Sequence, residues 1–259
     1  MRRHPAFAAA VAGLLLTACG NASASVRPLM PAALDATRAA APLGVGRPAS
    51  CPANLASRLK HKAGHTQLMF VVVAASRDTS AAFSTFELVG SCWRQKYGTW
   101  TARVGYKGVN GDKHEGDDTT PAGIYTFLPT MYGNAADPGV RYSYHRLVCG
   151  DWWDEDSSSP QYNEFVHVPC SDTNPPFNNG SSERLWQETV AYPSLAVLDY
   201  NARRIPGEGS GIFLHADIGT PTDGCVSLPL SQLDEVLDWM RPVSNPAIVI
   251  GTAGAISSY

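Results

Sequence analysis

Cys225 lies in the run Thr222-Asp223-Gly224-Cys225-Val226-Ser227-Leu228-Pro229, and His215 closes the apolar segment Gly211-Ile212-Phe213-Leu214-His215 ten residues upstream. A thiol and an imidazole at this spacing are a candidate nucleophile and its base. A thiolate attacks carbonyl carbon far better than a thiol, so the cysteine needs a neighbouring base or positive surroundings. Ten residues is too far for neighbours along one strand. It suits two adjacent strands joined by a loop, here residues 217–222 with Gly219 and Pro221. Cross-strand neighbours bring Cβ atoms to about 4.5–5.5 Å. Gly224 lets a substrate approach the backbone closely, and the amides of Gly224 and Cys225 are candidate donors to a developing oxyanion. Thr222 and Asp223 are candidate orienting groups. A carboxylate beside a thiol raises its pKa, so Asp223 opposes activation unless it turns to a backbone amide or another group.

The cysteine count supports a free Cys225. Of six cysteines, one sits at the end of an N-terminal leader. Met1-Arg2-Arg3-His4 is a short basic stretch, and the apolar run 6–16 that follows is too short to span a bilayer but has the length of a signal-peptide core. Leu16-Thr17-Ala18-Cys19 resembles the bacterial lipobox, which implies cleavage before Cys19 and a lipid on its sulfur. The alternative is an ordinary secretory signal cut near Ala22-Ser23-Ala24. With Cys19 and Cys225 set aside, Cys51, Cys92, Cys149 and Cys170 remain. An even remainder in an exported chain suggests two disulfides, with three pairings open. Local enclosure favours Cys51–Cys92 and Cys149–Cys170. The cysteines show no Cys-x-x-Cys spacing, so a zinc reading is weak.

The domain organisation expected is a signal peptide over 1–19, a flexible Ala-, Pro- and Ser-rich linker over 20–50, and one folded domain over 51–259. A net charge of −3 argues against a nucleic-acid partner, which normally meets a basic face. From Cys51 onward the pattern predicts mostly strands, at residues 67–74, 83–89, 99–104, 123–128, 164–168, 195–200, 211–215 and 247–250. That set predicts a mainly β fold, sandwich- or barrel-like, with one or two short helices. One helix is expected after Ser231, with Asp234 completing a capping box, Leu233, Val236, Leu237 and Met240 at helical spacing, and Pro242 as the stop. A shorter helix is expected over 182–190.

With these residues in view, the order His215, loop, Thr222-Asp223-Gly224-Cys225 resembles the L,D-transpeptidase (YkuD-like) catalytic domain, whose signature is a histidine, a variable loop and Ser/Thr-His-Gly-Cys. Thr119-Thr120-Pro121-Ala122-Gly123-Ile124-Tyr125 is similar to the family's Thr-Pro-x-Gly-x-aromatic strand. The resemblance covers most of residues 70–251. It implies that Cys225 attacks the bond between the third and fourth residues of a peptidoglycan stem peptide, D-Ala leaves, and an amine of a second stem resolves the thioester into a 3→3 crosslink. His215 would carry the proton. No metal or organic cofactor is implied, and carbapenem-type β-lactams are expected to acylate Cys225. The family's second histidine is Asp223 here, Ser227 stands where Asn or Arg is common, and the His-to-Cys loop is short, which marks a divergent branch.

Asp151-Trp152-Trp153-Asp154-Glu155-Asp156 lines a groove, binds a cation, or is a solvated loop whose tryptophans cover the core. Trp153, Tyr162 and Asn163 are candidate substrate contacts, with turn and packing roles as the alternative. His145 and His167 read more readily as packed or surface residues than as second bases. The loop 107–118 is either solvated or a gate to the cleft. Three functions compete: a transpeptidase, an L,D-carboxypeptidase or other hydrolase on the same scaffold, and a catalytically silent wall-binding lipoprotein. All three are extracytoplasmic, held at the membrane through an N-terminal lipid or secreted to the wall.

Overall fold

The computed structural model describes residues 50–259. The signal peptide over 1–19, the lipidation site Cys19 and the linker up to residue 49 lie outside the described residues. Among those described, no helix is long and apolar enough to cross a membrane.

A ten-stranded sheet dominates. From edge to edge its strands are Gly123–Tyr125, Ala247–Thr252, Gln67–Val73, Ser80–Val89, Cys92–Arg103, Val226–Leu228, Phe213–Ala216, Leu195–Leu198, Phe127–Gly133 and Ser143–Arg146. Sequence reading takes 123–128 as one strand; the structure breaks it at Thr126. The first half pairs with Ala247–Thr252 at one end of the sheet, and the second half pairs with Leu195–Leu198 near the other. One short stretch of chain thus serves both ends, which curls the sheet into the expected barrel-like, mainly β form.

Strand burial explains the apolar runs. Met69, Val71 and Val73 enter one hydrophobic cluster while Leu68 and Phe70 enter another on the opposite face. Ala196, Leu198 and Leu214 face the first cluster, whereas Leu195, Val197 and Phe213 face a third. Successive side chains point to opposite faces of a strand, so strands covered on both faces read as unbroken apolar runs.

The helix Leu230–Trp239 seals the first cluster with Leu233, Val236 and Leu237. Its start differs from expectation. Pro229 is the N-cap, without a side-chain bond, and its carbonyl receives the N–H groups of Gln232 and Leu233. The chain leaves the strand Val226–Leu228 and turns at once, which puts Ser231 inside the helix. Asp234 instead accepts a hydrogen bond from the Ser194 hydroxyl at 2.8 Å. A four-residue helix, Leu55–Arg58, carries its own capping box from Asn54 and Ser57.

The expected helix over 182–190 does not form. Glu183–Arg184 is a strand edge paired with Trp152 and Trp153, in a three-stranded sheet with Glu164–His167. Tertiary pairing wins over local preference because Leu185 is drawn fully into the core while Trp186 packs against Trp152 at 5.2 Å. Two disulfides join Cys51 to Cys92 and Cys149 to Cys170, and Cys225 is free and buried.

Candidate active site

His215 and Cys225 reach one site through parallel strands. Phe213–Ala216 pairs with Val226–Leu228 in parallel, with His215 opposite Ser227. A parallel pair requires the chain to return to the start of the second strand. The strands are only three and four residues long, so the short segment between them suffices. On its way back Thr222 bonds to the backbone of Val104 and Tyr106. An Arg103–Asp217 ion pair at 3.0 Å fixes the loop's other end.

Cys225 therefore sits just before its strand. Its Sγ accepts a hydrogen bond from the Phe213 N–H at 3.2 Å and donates to the Gly211 carbonyl at 3.3 Å. Two hydroxyls hold its own carbonyl: Thr222 donates at 2.6 Å and Thr120 at 3.1 Å. Thr120 Oγ1 also accepts from the Gly105 N–H at 2.8 Å. The Thr-Pro strand noted in the sequence is thus a brace for the cysteine turn.

The turn depends on two glycines. Gly224 has a φ of +153°, and a Cβ there would lie 3.1 Å from the Thr119 carbonyl oxygen. Gly211 has a φ of +60°, and a Cβ there would meet the Glu155 carboxyl at 1.8 Å. The Gly224 N–H reaches the Thr222 hydroxyl at 3.3 Å, and Asp223 is exposed at the rim of the cleft.

His215 is 6% exposed, and its Nδ1 lies 2.9 Å from the Ala216 carbonyl. Burial pushes its pKa down to about 4, against the pull of the Ala216 and Ala191 carbonyls. The ring is therefore neutral near pH 7. With Nδ1–H donating to Ala216, the lone pair is left on Nε2, where a base needs it. No hydrogen bond joins His215 to Cys225 among the described residues. Burial, then the negative charge of Glu183, pushes the Cys225 thiol well up, while the Phe213 N–H and Lys113 oppose the rise. The resting pair is a thiol and a neutral imidazole.

Both groups line a cleft of about 430 Å³ together with Lys113, Glu155, Glu183 and Tyr192. Sequence reading had Glu155 within the run 151–156 as a candidate groove lining and Lys113 within the loop 107–118, and missed Glu183 and Tyr192. Lys113 lies in the loop read as solvated or a gate, yet it is 6% exposed and paired with Asp117 at 3.0 Å. Glu183 was hidden by the expected helix over 182–190, and Tyr192, just past its end, carried no signal of its own. Tyr192 donates to Glu183 Oε1 at 2.5 Å and lies edge-on to the His215 ring at 5.3 Å. Burial lifts the Glu183 carboxyl to about 7, helped by Glu188 and Asp223 and opposed by the Tyr192 hydrogen bond. Burial and the neighbouring Glu183 and Glu115 carry Glu155 well above the usual carboxylate range.

Trp153, Tyr162 and Asn163 stand behind the cleft, outside its lining. Trp153 is 2% exposed, packs edge-on against Phe213 and donates to the Asn163 side-chain Oδ1 at 3.0 Å. The same Asn163 oxygen accepts the Gly211 N–H at 3.1 Å. The buried Tyr162 hydroxyl donates to Glu115. Asn163, held by Trp153, thus fixes the Gly211 backbone whose carbonyl receives the thiol, and Tyr162 holds Glu115, which accepts from the neighbouring Ser210 hydroxyl. His145 and His167 lie elsewhere, both on the fully buried Asp151, at 2.8 and 2.7 Å. Among the described residues, no three His, Cys, Asp or Glu side chains are grouped to hold a metal ion.

A family model for the L,D-transpeptidase catalytic domain, YkuD, matches residues 92–250. The chain is also similar to the crystal structure of the helical cell shape determining protein Pgp2 from Campylobacter jejuni, at 14% identity and a TM-score of 0.36. That likeness covers 73% of this chain and 48% of the other, so the chain spans about half its length. No curated protein matches.

Proposed function

Because the chain belongs to the L,D-transpeptidase (YkuD) catalytic-domain family, we propose that it is an extracytoplasmic peptidoglycan L,D-transpeptidase that forms 3→3 crosslinks through an acyl-enzyme on Cys225. One observation carries this reading: the free cysteine and a neutral, Nδ1-anchored His215 share a cleft.

The resting thiol donates to Gly211. A donor stem whose scissile carbonyl enters the cleft displaces that contact, and the thiol proton passes to His215 Nε2. The sulfur then attacks the carbonyl carbon, with the amides of Gly224 and Cys225 proposed as donors to the oxyanion. The C–N bond breaks, the departing amine takes the proton from His215, and a thioester remains. Attack by an acceptor amine forms the new amide and returns the sulfur as a thiol. Thr222 orients the cysteine turn, Trp153 and Asn163 act by positioning Gly211, and Tyr162 acts through Glu115 on the neighbouring Ser210. The two disulfides support an oxidising compartment outside the cytoplasm. A lipid on Cys19 would tether the domain at the membrane surface.

Purified protein mixed with a carbapenem should gain one adduct mass on Cys225. With stem tetrapeptides it should yield a 3→3 dimer, resolved by muropeptide mass analysis. Cys225→Ala should abolish both products and keep the fold, as judged by circular dichroism. Trimmed stems without dimers would mean that water is the acceptor, a hydrolase. Absence of any acylation would leave only the wall-binding role.

A further inference from the structure

The cleft beside Cys225 is strongly acidic. Glu115, Asp118, Glu155, Glu183, Glu188 and Asp223 line it, against the single ammonium of Lys113, which Asp117 already holds at 3.0 Å. Glu115 is taken up by Tyr162 and Ser210, and Asp118 by Lys107 at 3.0 Å. Glu183 differs from both. Only its Oε1 has a donor, the Tyr192 hydroxyl, so among the described residues Oε2 has none. The carboxylate lines the same cleft as Cys225, adds to burial in raising the thiol's pKa, and shares Tyr192 with the His215 ring. Nothing in the acylation step needs a second negative charge here. It works against forming the thiolate.

We propose that Glu183, with Asp223 at the rim, is the acceptor subsite: it holds the incoming ammonium and takes a proton from it as the nitrogen attacks the thioester on Cys225. This deepens the transpeptidase reading and rests on it. The acceptor ammonium gives one proton to the Glu183 carboxylate and becomes an amine. Its nitrogen forms a C–N bond to the acyl carbon and passes its surplus proton to His215 Nε2. The C–S bond breaks, and the departing sulfur takes that proton and is again the thiol. Glu183 then loses its proton to solvent. The groups facing Glu183 are Tyr192, Glu188, Asp223, Glu155 and Cys225. An entering ammonium favours the ionised form of Glu183, so the acceptor prepares its own base. Tyr192 is a positioning residue, acting through its bond to Glu183.

The test separates the two half-reactions in the purified full chain. Acylation is read with a carbapenem by intact mass against time. Transfer is read with a stem tetrapeptide as donor and a stem tripeptide bearing a side-chain amine as acceptor. Glu183→Gln removes a charge that opposes the thiolate, so acylation should run at least as fast as in the unaltered protein. Transfer should fall tenfold or more, with a higher KM for the acceptor and hydrolysed donor in place of dimer. The rise of the transfer rate through about pH 7 should disappear. Asp223→Asn should raise the acceptor KM and, by removing a charge that helps hold the Glu183 pKa up, shift the transfer limb to lower pH. If Glu183→Gln proves unfolded, Tyr192→Phe decides. It keeps the ring on His215, removes the bond that lowers the Glu183 pKa, and should shift the transfer limb to higher pH. Transfer and acylation falling together, or transfer unchanged, would overturn the acceptor subsite alone. An unaltered protein that takes no acyl group would overturn the transpeptidase reading and this one with it.

Discussion

Replacing Thr120 by Val is the sharpest probe of how the cysteine turn is held. Thr120 is fully buried, and its hydroxyl donates to the Cys225 carbonyl at 3.1 Å while accepting the Gly105 N–H at 2.8 Å. Val keeps the shape and removes both bonds. The Cys225 carbonyl still has the Thr222 hydroxyl at 2.6 Å, but the Gly105 N–H is left buried without an acceptor. Leaving one such group unpaired costs about 1–3 kcal/mol. For a domain of this size each kcal/mol moves Tm by about 2–4 °C, so thermal unfolding should shift down by about 2–12 °C. Thr120→Ser retains the hydroxyl and should lose only the buried methyl, about 1 kcal/mol. In the double variant Thr120→Val/Thr222→Val the carbonyl has no donor at all. Urea unfolding should then show a coupling of about 1–3 kcal/mol beyond the sum of the singles. Carbapenem acylation should slow in the same order, because the turn that aims Sγ is loosened. A Thr120→Val protein that melts with the unaltered one, or a double variant that is additive within about 0.5 kcal/mol, would refute the bracing role.

Alkylation of Cys225 by iodoacetamide should still be accelerating at pH 9, since burial and Glu183 hold the thiol pKa up; a plateau below pH 8 would contradict the resting thiol. The buried His215 and the half-buried Glu183 should bend the stability–pH curve in opposite directions. His215 has a folded pKa of about 4, below its usual 6.5, so its contribution is complete above pH 6.5 and is lost as pH falls through 4. Glu183 has a folded pKa of about 7, above its usual 4.5, so its contribution is complete below pH 4.5 and is lost as pH rises through 7. His215→Gln should therefore flatten the acid side of a Tm profile, and Glu183→Gln the neutral side; unchanged profiles would refute the assignments. Replacing Cys149 and Cys170 together by Ser, which opens a link between residues 21 apart, should cost about 2–4 kcal/mol in urea unfolding.

The strands and the cysteine that lines the cleft were legible in the sequence because their signals are local. A β-branched run such as 67–74 has one reading when both faces are buried, and Gly-Cys after a histidine-ended apolar segment leaves few chemical uses. The partners of the site are not local. Thr120 meets Cys225 across 105 residues of sequence, and Glu183 reaches the cleft only because Glu183–Arg184 pairs with Trp152 and Trp153. Without that pairing, residues 182–190 look helical, and a helix there would hide Glu183. Trp153 was visible as an aromatic, but sequence cannot say which side of a wall it stands on. Phe213 packs against its inner edge, which makes it scaffold.

If Cys225 takes an acyl group as proposed, the resting geometry bears on how the site keeps that acyl-enzyme from water. A thiol bonded to Gly211 and a neutral imidazole without a hydrogen bond to it carry no standing ion pair, so the cysteine is not a reactive anion waiting for any electrophile. Activation then requires a group that enters the cleft and frees the sulfur from the Gly211 carbonyl. The same carboxylates that oppose the thiolate attract a cation and have no charge-based preference for water. If the thioester persists until an ammonium arrives, the acidic lining selects transfer over hydrolysis. The two effects have one cause, so neutralising Glu183 should make the protein easier to acylate and poorer at choosing its acceptor.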